Sequence, residues 1–284
     1  MPASGWLRRS PTARRPPHAR RRRPDPHPPG LRRGLRGGVA LRAALVQLRL
    51  ESGKRSANLT NVLRWIDEAA DLTPAPDLIC LPGPCDYGPN PKGIAAPLDC
   101  LGGPFAETVA LKAKDLGLFV ALGHVDADHL GAYLAVSLFD PDGDAVLRHR
   151  GVVVPPGAGT ELSGGTALRV ADTPLGRVGL LTDTDLREPC LGTSLSAMGA
   201  TLIVVSSRGV EPDGGPGAKK RLGEVARSCA AFLLVACPAA ADGQRKCASS
   251  AFDPRGQCLV SATPGREGIV EVALATPTRE GGKR

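Results

Sequence analysis

The sequence predicts a single α/β domain in which a mixed sheet system is covered by helices. Short apolar runs alternate with stretches of helical periodicity from residue 41 onward, an order that indicates strand–helix units. Two further pairs of apolar runs enclose the turn-forming sequences Pro141–Asp144 and Pro254–Gly256, which predict hairpins. With 284 residues, of which 42% are hydrophobic, the chain can bury one large core or two small ones.

The first half of the domain alternates strands with helices. Leu59, Val62 and Ile66 recur at the spacing of one helix face, and Gly117 follows the second helical stretch as a stop. The runs between them are short and apolar, as in buried strands. The predicted elements are a strand over 41–48, a helix over 56–70, a strand over 77–82, a helix over 104–116, a strand over 118–123, and a hairpin of 132–140 with 145–154.

The second half repeats this order. Arg208–Gly217 is rich in glycine but lacks the lysine and the following Ser or Thr of a phosphate-binding loop, so we predict a long connecting loop there. The other predicted elements are strands over 178–182, 202–205, 232–237 and 268–273, helices over 192–198 and 219–231, and a hairpin of 248–253 with 258–261.

Positive charge is concentrated at the start of the chain. Residues 1–38 contain eleven arginines and one acid, Asp25, for a net charge of +10, while the remaining 25 basic and 27 acidic residues give −2. This segment is rich in Pro and Gly without apolar periodicity, so we predict disordered tails over 1–38 and 277–284 around a domain over 39–276. Charge alone would let the first tail bind RNA or an anionic lipid surface. The alternative is that it has no role and that the protein begins at Val39.

The cysteines show no metal-binding spacing. No Cys-x-x-Cys pair occurs, which argues against a zinc site, and no cofactor site is predicted. Without a secretory segment or an apolar run long enough to span a bilayer, we expect a cytoplasmic protein with reduced thiols. Thiols within apolar runs pack as small hydrophobes. The cysteines are Cys80, Cys85, Cys100, Cys190, Cys229, Cys237, Cys247 and Cys258.

Gly176–Pro189 holds a predicted strand followed by Asp-x-Asp-x-Arg-x-Pro, and Gly199–Ser207 holds the next apolar strand. These two stretches resemble the signature of the nitrilase, or carbon–nitrogen hydrolase, family, which has Cys-x-Asp-x-Arg-x-Pro in the first of them. The opening strand and helix and the first hairpin also agree in order, so the resemblance covers nearly all of residues 41–275. It implies a four-layer α-β-β-α sandwich of two sheets, commonly dimeric, that hydrolyses nitriles or amides.

The resemblance places the family's three catalytic groups on positions that hold other residues here. Gly83 occupies the position of the glutamate that acts as general base, and Asp183 that of the nucleophilic cysteine. Gly151 occupies the position of the lysine that stabilises the oxyanion, although a shift of one residue would place Arg150 there. Polar pocket positions are also replaced, by Leu134 among others. We therefore predict no intact catalytic site and a pseudoenzyme with a binding, scaffolding or regulatory role.

Its predicted partners are a second copy of the chain, another protein, or a small molecule in the residual pocket. The alternative function is an amidase-type hydrolase of a non-peptide carbon–nitrogen bond with a rebuilt site. Cys190, which follows the nucleophile position by seven residues, and Cys85, just past the glutamate position, are the candidate nucleophiles. A third hypothesis, nucleic-acid binding through the basic tail, is disfavoured by the near-neutral charge of the domain.

Other polar residues near the expected pocket admit two interpretations each. Asp183 and Asp185 form a pair of acids that could bind a metal or share a proton, or Asp185 could tether the turn by accepting backbone hydrogen bonds. His124 and His149 lie nearest the expected rim. Because neither has a nucleophile or acid at a defined spacing, we expect both to be structural or solvated.

Overall fold

The computed structural model describes residues 41–89, 103–155, 162–209, 217–239 and 247–275. The tails predicted over 1–38 and 277–284, Cys100, and most of the loop predicted after Arg208 lie outside these ranges. The domain limits at 39 and 276 therefore stay predictions.

The first sheet in the described part of the chain has six strands, ordered β12-β1-β2-β3-β4-β5. β1 pairs parallel with β2 and antiparallel with β12, and β2 pairs parallel with β3, so the sheet is mixed as predicted. β3, β4 and β5 form an antiparallel meander that contains the first predicted hairpin. The strands are β1 (Leu41–Gln47), β2 (Leu78–Cys80), β3 (Phe119–Asp128), β4 (Gly131–Phe139), β5 (Ala145–Arg150) and β12 (Gly268–Leu274).

The second sheet also has six strands in the described ranges, ordered β11-β10-β9-β8-β7-β6. β7, β8 and β9 are parallel and central, so their carboxyl ends lie side by side at one edge of the sheet. That edge carries the site described below. The strands are β6 (Val170–Thr173), β7 (Gly176–Thr182), β8 (Leu202–Ser206), β9 (Phe232–Ala236), β10 (Ser250–Phe252) and β11 (Cys258–Ser261).

The helices cover the outer faces of the two sheets. α1 buries Val62, Trp65, Ile66 and Ala69 along one face, the spacing of an amphipathic helix. α3 begins at Pro189, whose fixed φ and missing N–H suit the first helical position. The helices are α1 (Arg55–Ala70), α2 (Gly103–Leu116), α3 (Pro189–Ala197) and α4 (Ala218–Cys229).

Three apolar layers hold these elements together. One lies between the sheets and includes Leu45, Leu138, Leu180 and Leu234. The second packs α1 and α2 onto the first sheet, and the third packs α3 and α4 onto the second sheet. The four-layer α-β-β-α sandwich expected from the resemblance is therefore confirmed.

Several predicted boundaries differ from the observed ones. β3 continues to Asp128, five residues past the predicted end, because its whole length pairs with β4. β5 ends at Arg150 rather than at 154, and α3 begins three residues before the predicted start. β6 was not predicted, since its mixed sequence Val-Ala-Asp-Thr has no strong apolar pattern and depends on pairing with β7.

Candidate functional site

The turn after β7 is held together by one carboxylate. Asp185 Oδ2 accepts hydrogen bonds from Thr182 N at 2.9 Å, from Thr182 Oγ1 at 2.7 Å and from His149 Nε2 at 2.8 Å. Its Oδ1 accepts from Val152 N at 2.8 Å and Val153 N at 3.1 Å. Asp185 thus joins β7, the last residues of β5 and the segment after β5, which is the tethering role predicted for it.

Asp185 stays ionised although it is fully buried. Burial acts to raise its pKa, but the hydrogen bond and charge of His149, with the donors of Thr182, bring the pKa below its usual value. His149 is itself buried, and its Nδ1 has no hydrogen-bond partner among the described residues. His149 is therefore structural, one of the two roles expected from the sequence.

Asp183 directly follows β7 and accepts hydrogen bonds from Arg208. Arg208 Nε donates to Asp183 Oδ1 at 3.2 Å, and Arg208 N donates to Oδ2 at 3.3 Å. Burial raises the pKa of Asp183, and the neighbouring guanidinium opposes that rise without cancelling it. Asp183 and Asp185 thus accept hydrogen bonds from different side chains, Arg208 and His149 respectively.

The space beside Gly83 is filled. Gly83 N donates to Ser207 O at 3.1 Å, and a Cβ atom added to Gly83 would lie 2.7 Å from both Gly123 Cα and Ser206 Oγ. Ser206 Oγ donates to Leu81 O at 3.0 Å, which fixes the hydroxyl in this gap. A side chain at position 83 would therefore require the backbone of β3 or Ser206 to move.

Gly151 is also tightly surrounded. Its N donates to Leu134 O at 2.7 Å, and its O accepts from Gly165 N at 2.8 Å. A Cβ atom added to Gly151 would lie 2.8 Å from Thr182 Oγ1. Leu134 packs in a small apolar cluster that includes Val125 and Leu162.

Arg150 is directed to a different group of residues. Its Nε donates to Asp126 Oδ2 at 2.7 Å, its Nη1 contacts Asp128, and its guanidinium lies 4.2 Å from the centre of the Tyr133 ring. Burial acts to lower the pKa of Arg150, but the hydrogen bonds to Asp128 and Asp126 raise it overall. If the alignment is shifted by one residue, Arg150 occupies the lysine position. Its guanidinium is then bound to Asp126 and Asp128 of β3.

The positions predicted from the sequence meet around the carboxyl ends of β7 and β8. Thr182 and Ser206 are paired at the last register position of these strands. A Cβ atom at Gly151 would touch Thr182, one at Gly83 would touch Ser206, and Asp183 directly follows Thr182. The structure brings together the positions that the resemblance had selected from three separate parts of the chain.

The two candidate rescue cysteines do not join this group. Cys85 is buried in the apolar layer under α1 and α2, and its Sγ donates to Pro82 O at 2.9 Å. Burial, and then the charge of Asp86, raise the pKa of the Cys85 thiol. Cys190 is exposed on the first turn of α3. The buried Cys85 thiol lacks the electropositive, partly exposed surroundings that activate a nucleophile.

Two more titratable groups are buried near β3. Asp86 accepts from Val125 N at 3.1 Å and from Tyr87 N at 3.0 Å, and burial raises its pKa to about 7. His124 Nε2 lies 2.8 Å from Ser137 Oγ, and burial lowers the pKa of His124 to about 4. Both are held by local hydrogen bonds, so His124 is structural rather than solvated.

The expectation of reduced thiols is wrong for one pair. Cys237 and Cys247 form a disulfide, with Cα atoms 6.4 Å apart, a separation that a disulfide spans readily. Sequence reasoning treated Cys237 as a buried hydrophobe because its run is apolar. The partner lies ten residues further along the chain, just before β10, and this spacing matches no recognised cysteine motif.

A cavity of about 530 Å³ opens between the turn after β7, α3 and α4. Asp183 and Ser207 lie among its lining residues, as do the apolar side chains of Leu222 and Val225. Its size is within the range of about 300 to 1,000 Å³ typical of small-molecule sites. Cys190 is not among the described lining residues.

Sequence reasoning missed Arg208, Ser206 and Ser207. Arg208 was placed at the start of a loop, and its pairing with Asp183 depends on the parallel neighbours β7 and β8. The two serines end an apolar strand and carry no motif of their own. Polar residues that end adjacent parallel strands lie together at one edge of the sheet, and this rule points to Ser206 and Ser207.

None of the helices in the described ranges is long and apolar enough to cross a membrane. Within the same ranges, no group of three or more His, Cys, Asp or Glu side chains is arranged to hold a metal ion.

Comparison with known proteins gives a family and two kinds of relative. The Carbon-nitrogen hydrolase family profile matches residues 42–281. The chain is 36% identical over 107 residues to a cyanide hydratase of Gibberella baccata, covering 35% of this chain and 29% of that protein. It is 27% identical over 176 residues to the human omega-amidase NIT2, covering 58% of this chain and 63% of that protein. The chain thus spans less than two thirds of either relative.

Solved structures share the fold at low sequence identity. An amidase from Nesterenkonia superposes with a TM-score of 0.74 at 19% identity, covering 85% of this chain and 92% of that one. Saccharomyces cerevisiae Nit3, of the nitrilase superfamily, superposes with a TM-score of 0.71 at 22% identity, covering 84% and 90%. Together with the family match over most of its length, these findings establish that the chain belongs to the carbon–nitrogen hydrolase family.

Proposed function

We propose that this chain is a carbon–nitrogen hydrolase family member without hydrolytic activity, a pseudoenzyme that acts by binding, scaffolding or regulation. The observation that carries the proposal is Asp183, a buried carboxylate bonded to Arg208 at the point where the resemblance expects a cysteine. The related Nesterenkonia amidase, by contrast, has been captured with an acetamide moiety on an active-site cysteine.

The chemistry at position 183 supports this proposal. A thiolate is a strong nucleophile, whereas a carboxylate is a weak one toward an amide carbon. Asp183 also has its carboxylate oxygens in hydrogen bonds to Arg208, which lowers their reactivity further. Attack on an amide from this position has no adequate nucleophile.

The surroundings of Gly83 support it as well. Glycine cannot accept a proton, and the nearest acid along the chain, Asp86, accepts hydrogen bonds from Val125 N and Tyr87 N. Loss of a general base costs about 10²- to 10⁴-fold in rate. At the lysine position, Gly151 offers no side-chain donor, and Arg150 binds Asp126 and Asp128 instead.

The alternative is an amidase-type hydrolase with a rebuilt site. It is favoured by its relatives, which include an omega-amidase and an amidase of the same fold. Cys190 is the better candidate nucleophile because its thiol is exposed, whereas that of Cys85 is buried with a raised pKa. Both proposals include a homodimer, the assembly common in the family, and a cytoplasmic location. Nucleic-acid binding is assigned only to the basic tail.

An ammonia-release assay tests the two functions against each other. The purified chain is incubated with short aliphatic amides and nitriles, beside its Cys190→Ser and Cys85→Ser variants. We expect no release above buffer for any of the three proteins. Turnover by the unmodified chain that disappears in one serine variant would overturn the pseudoenzyme proposal and identify the nucleophile. Size-exclusion chromatography with light scattering gives the oligomeric state.

A further inference from the structure

We propose that the cavity beside Asp183 binds a small molecule with an apolar body and an ammonium head, and that Asp183 accepts the hydrogen bonds of that head. The inference rests on the proposed function, since it assigns Asp183 to binding rather than to hydrolysis. It names a ligand class for a position that the family uses for covalent chemistry.

Asp183 has hydrogen-bonding capacity left, unlike its neighbour in the turn. Its bonds to Arg208 are long, 3.2 and 3.3 Å, and the Thr184 backbone N–H is a third donor. Asp185, in contrast, accepts from His149, Thr182 and two backbone amides at 2.7 to 3.1 Å. An ionised carboxylate can accept about four hydrogen bonds, so Asp183 can take a further donor from the cavity side.

The electrostatic surroundings favour a cation over an anion. Burial raises the pKa of Asp183 even with Arg208 beside it, so a second positive charge would stabilise the ionised form. The described lining residues also include Glu188 and Glu224, against Arg187 and Arg221. The cavity lining thus has no excess of positive charge, and a carboxylate ligand at the inner end would be repelled by the Asp183 carboxylate.

The remaining wall fits an apolar body. Leu181, Leu186, Leu222, Val225 and Val235 line the cavity between the buried end at Asp183 and the polar rim on α4. An alkyl or aryl group placed along them loses contact with water and is stabilised in proportion to the apolar area that it covers. An ammonium group at the inner end has three N–H donors for Asp183 and for the neighbouring Ser207 hydroxyl.

The test compares four ligands of equal length. Isothermal titration calorimetry of the full chain is run with butylammonium, butanol, butyramide and butyrate. We expect butylammonium to bind about tenfold or more tightly than butanol, the ratio typical of a hydrogen bond to a charged group, and butyrate to bind least. Equal affinity for all four ligands, preference for butyrate, or the lack of any binding would overturn the proposal.

Matched variants locate the site. Asp183→Asn keeps the volume and is expected to reduce the butylammonium-to-butanol ratio to about one, since the charge that gives about tenfold preference is gone. Val225→Trp places a larger side chain in the cavity wall and should weaken all ligands together. Leu111→Ala, on the exposed face of α2, should change nothing. Circular dichroism and thermal unfolding verify that each variant folds, and an Asp183→Asn protein that folds and keeps the preference sinks the proposal.

The two proposals fail in different ways. Hydrolysis of butyramide by the unmodified chain would overturn the pseudoenzyme function, whatever the calorimetry shows. If butyramide stays intact and butylammonium has no preference, the pseudoenzyme proposal stands and the ligand assignment falls.

Discussion

The turns after β2 and β7 hold two of the three positions selected by the resemblance, and they are built in different ways. The turn after β7 is organised by a side chain, because Asp185 gathers His149, Thr182 and two backbone amides into one buried network. The turn after β2 is organised by backbone contact, because Gly83 lies against Gly123 with Ser206 Oγ in the remaining gap. A residue can therefore be exchanged at Asp183 without dismantling its turn, whereas position 83 has no room for one.

The largest effect is expected at the side-chain-organised turn. Asp185→Ala would leave His149, Thr182 and two backbone amides without their acceptor in a buried site. Removing one partner of such a network costs about 3 to 5 kcal/mol. Urea unfolding of the variant should therefore show a much lower midpoint. A loss below about 1 kcal/mol, the value of a single ordinary hydrogen bond, would mean that the turn does not depend on Asp185.

A smaller effect is expected where the backbones touch. A Cβ atom at Gly123 would lie 2.6 Å from Gly83 Cα and within contact of Ser206 Oγ, so Gly123→Ala should cost about 1 to 3 kcal/mol by overpacking. Gly268→Ala is the matched control, because nothing lies within 4 Å of its added Cβ atom. The same urea titration distinguishes them, and equal midpoints for the two variants would show that the close approach is not tight in solution.

The smallest effect is expected in how stability depends on pH. A rise in pH should weaken the contribution of the acid after β2 and strengthen that of the acid after β7. Asp86 follows Gly83, and its folded pKa of about 7 lies above the unfolded value. Its contribution to stability is therefore complete below about pH 4, the usual pKa of Asp, and is lost as the pH rises toward 7. Asp185 has a lowered pKa, so its contribution is present above the unfolded pKa and is lost as the pH falls.

Asp86→Asn isolates the first of these dependences. The amide keeps an oxygen for Val125 N and Tyr87 N but does not titrate. Thermal unfolding between pH 4 and 7 should show a shallower loss of stability in the variant than in the unmodified chain. Parallel curves for the two proteins would show that Asp86 titrates normally in the folded state.

Local signals predicted most of the fold. The helical faces of α1 and α2 and the apolar runs of β8 and β9 depend on residues close in sequence, and these elements lie where they were predicted. β6 and the far half of β3 were missed because they are strands only through pairing with a neighbour. The layer architecture came from the family resemblance rather than from periodicity.

The sequence indicated which positions belong to the candidate site, but not which side chains contact one another there. The motifs that flank Gly83, Gly151 and Asp183 selected these positions from the sequence, and the structure places their neighbours at the carboxyl ends of β7 and β8. The Asp183–Arg208 pair could not be predicted, because it joins the ends of β7 and β8, whose proximity is decided by strand order. The Cys237–Cys247 disulfide joins residues ten apart, at a spacing that matches no recognised cysteine motif. Sequence alone also gave no sign that Ser206 fills the space beside Gly83.

The Ser206 hydroxyl restricts the order in which mutations could place a long acidic side chain at position 83. Any such change made first would collide with that oxygen and with the main chain of the adjacent strand, and the intermediate would be selected against as unstable. A smaller residue would have to replace Ser206 beforehand, and β3 would have to shift outward as well.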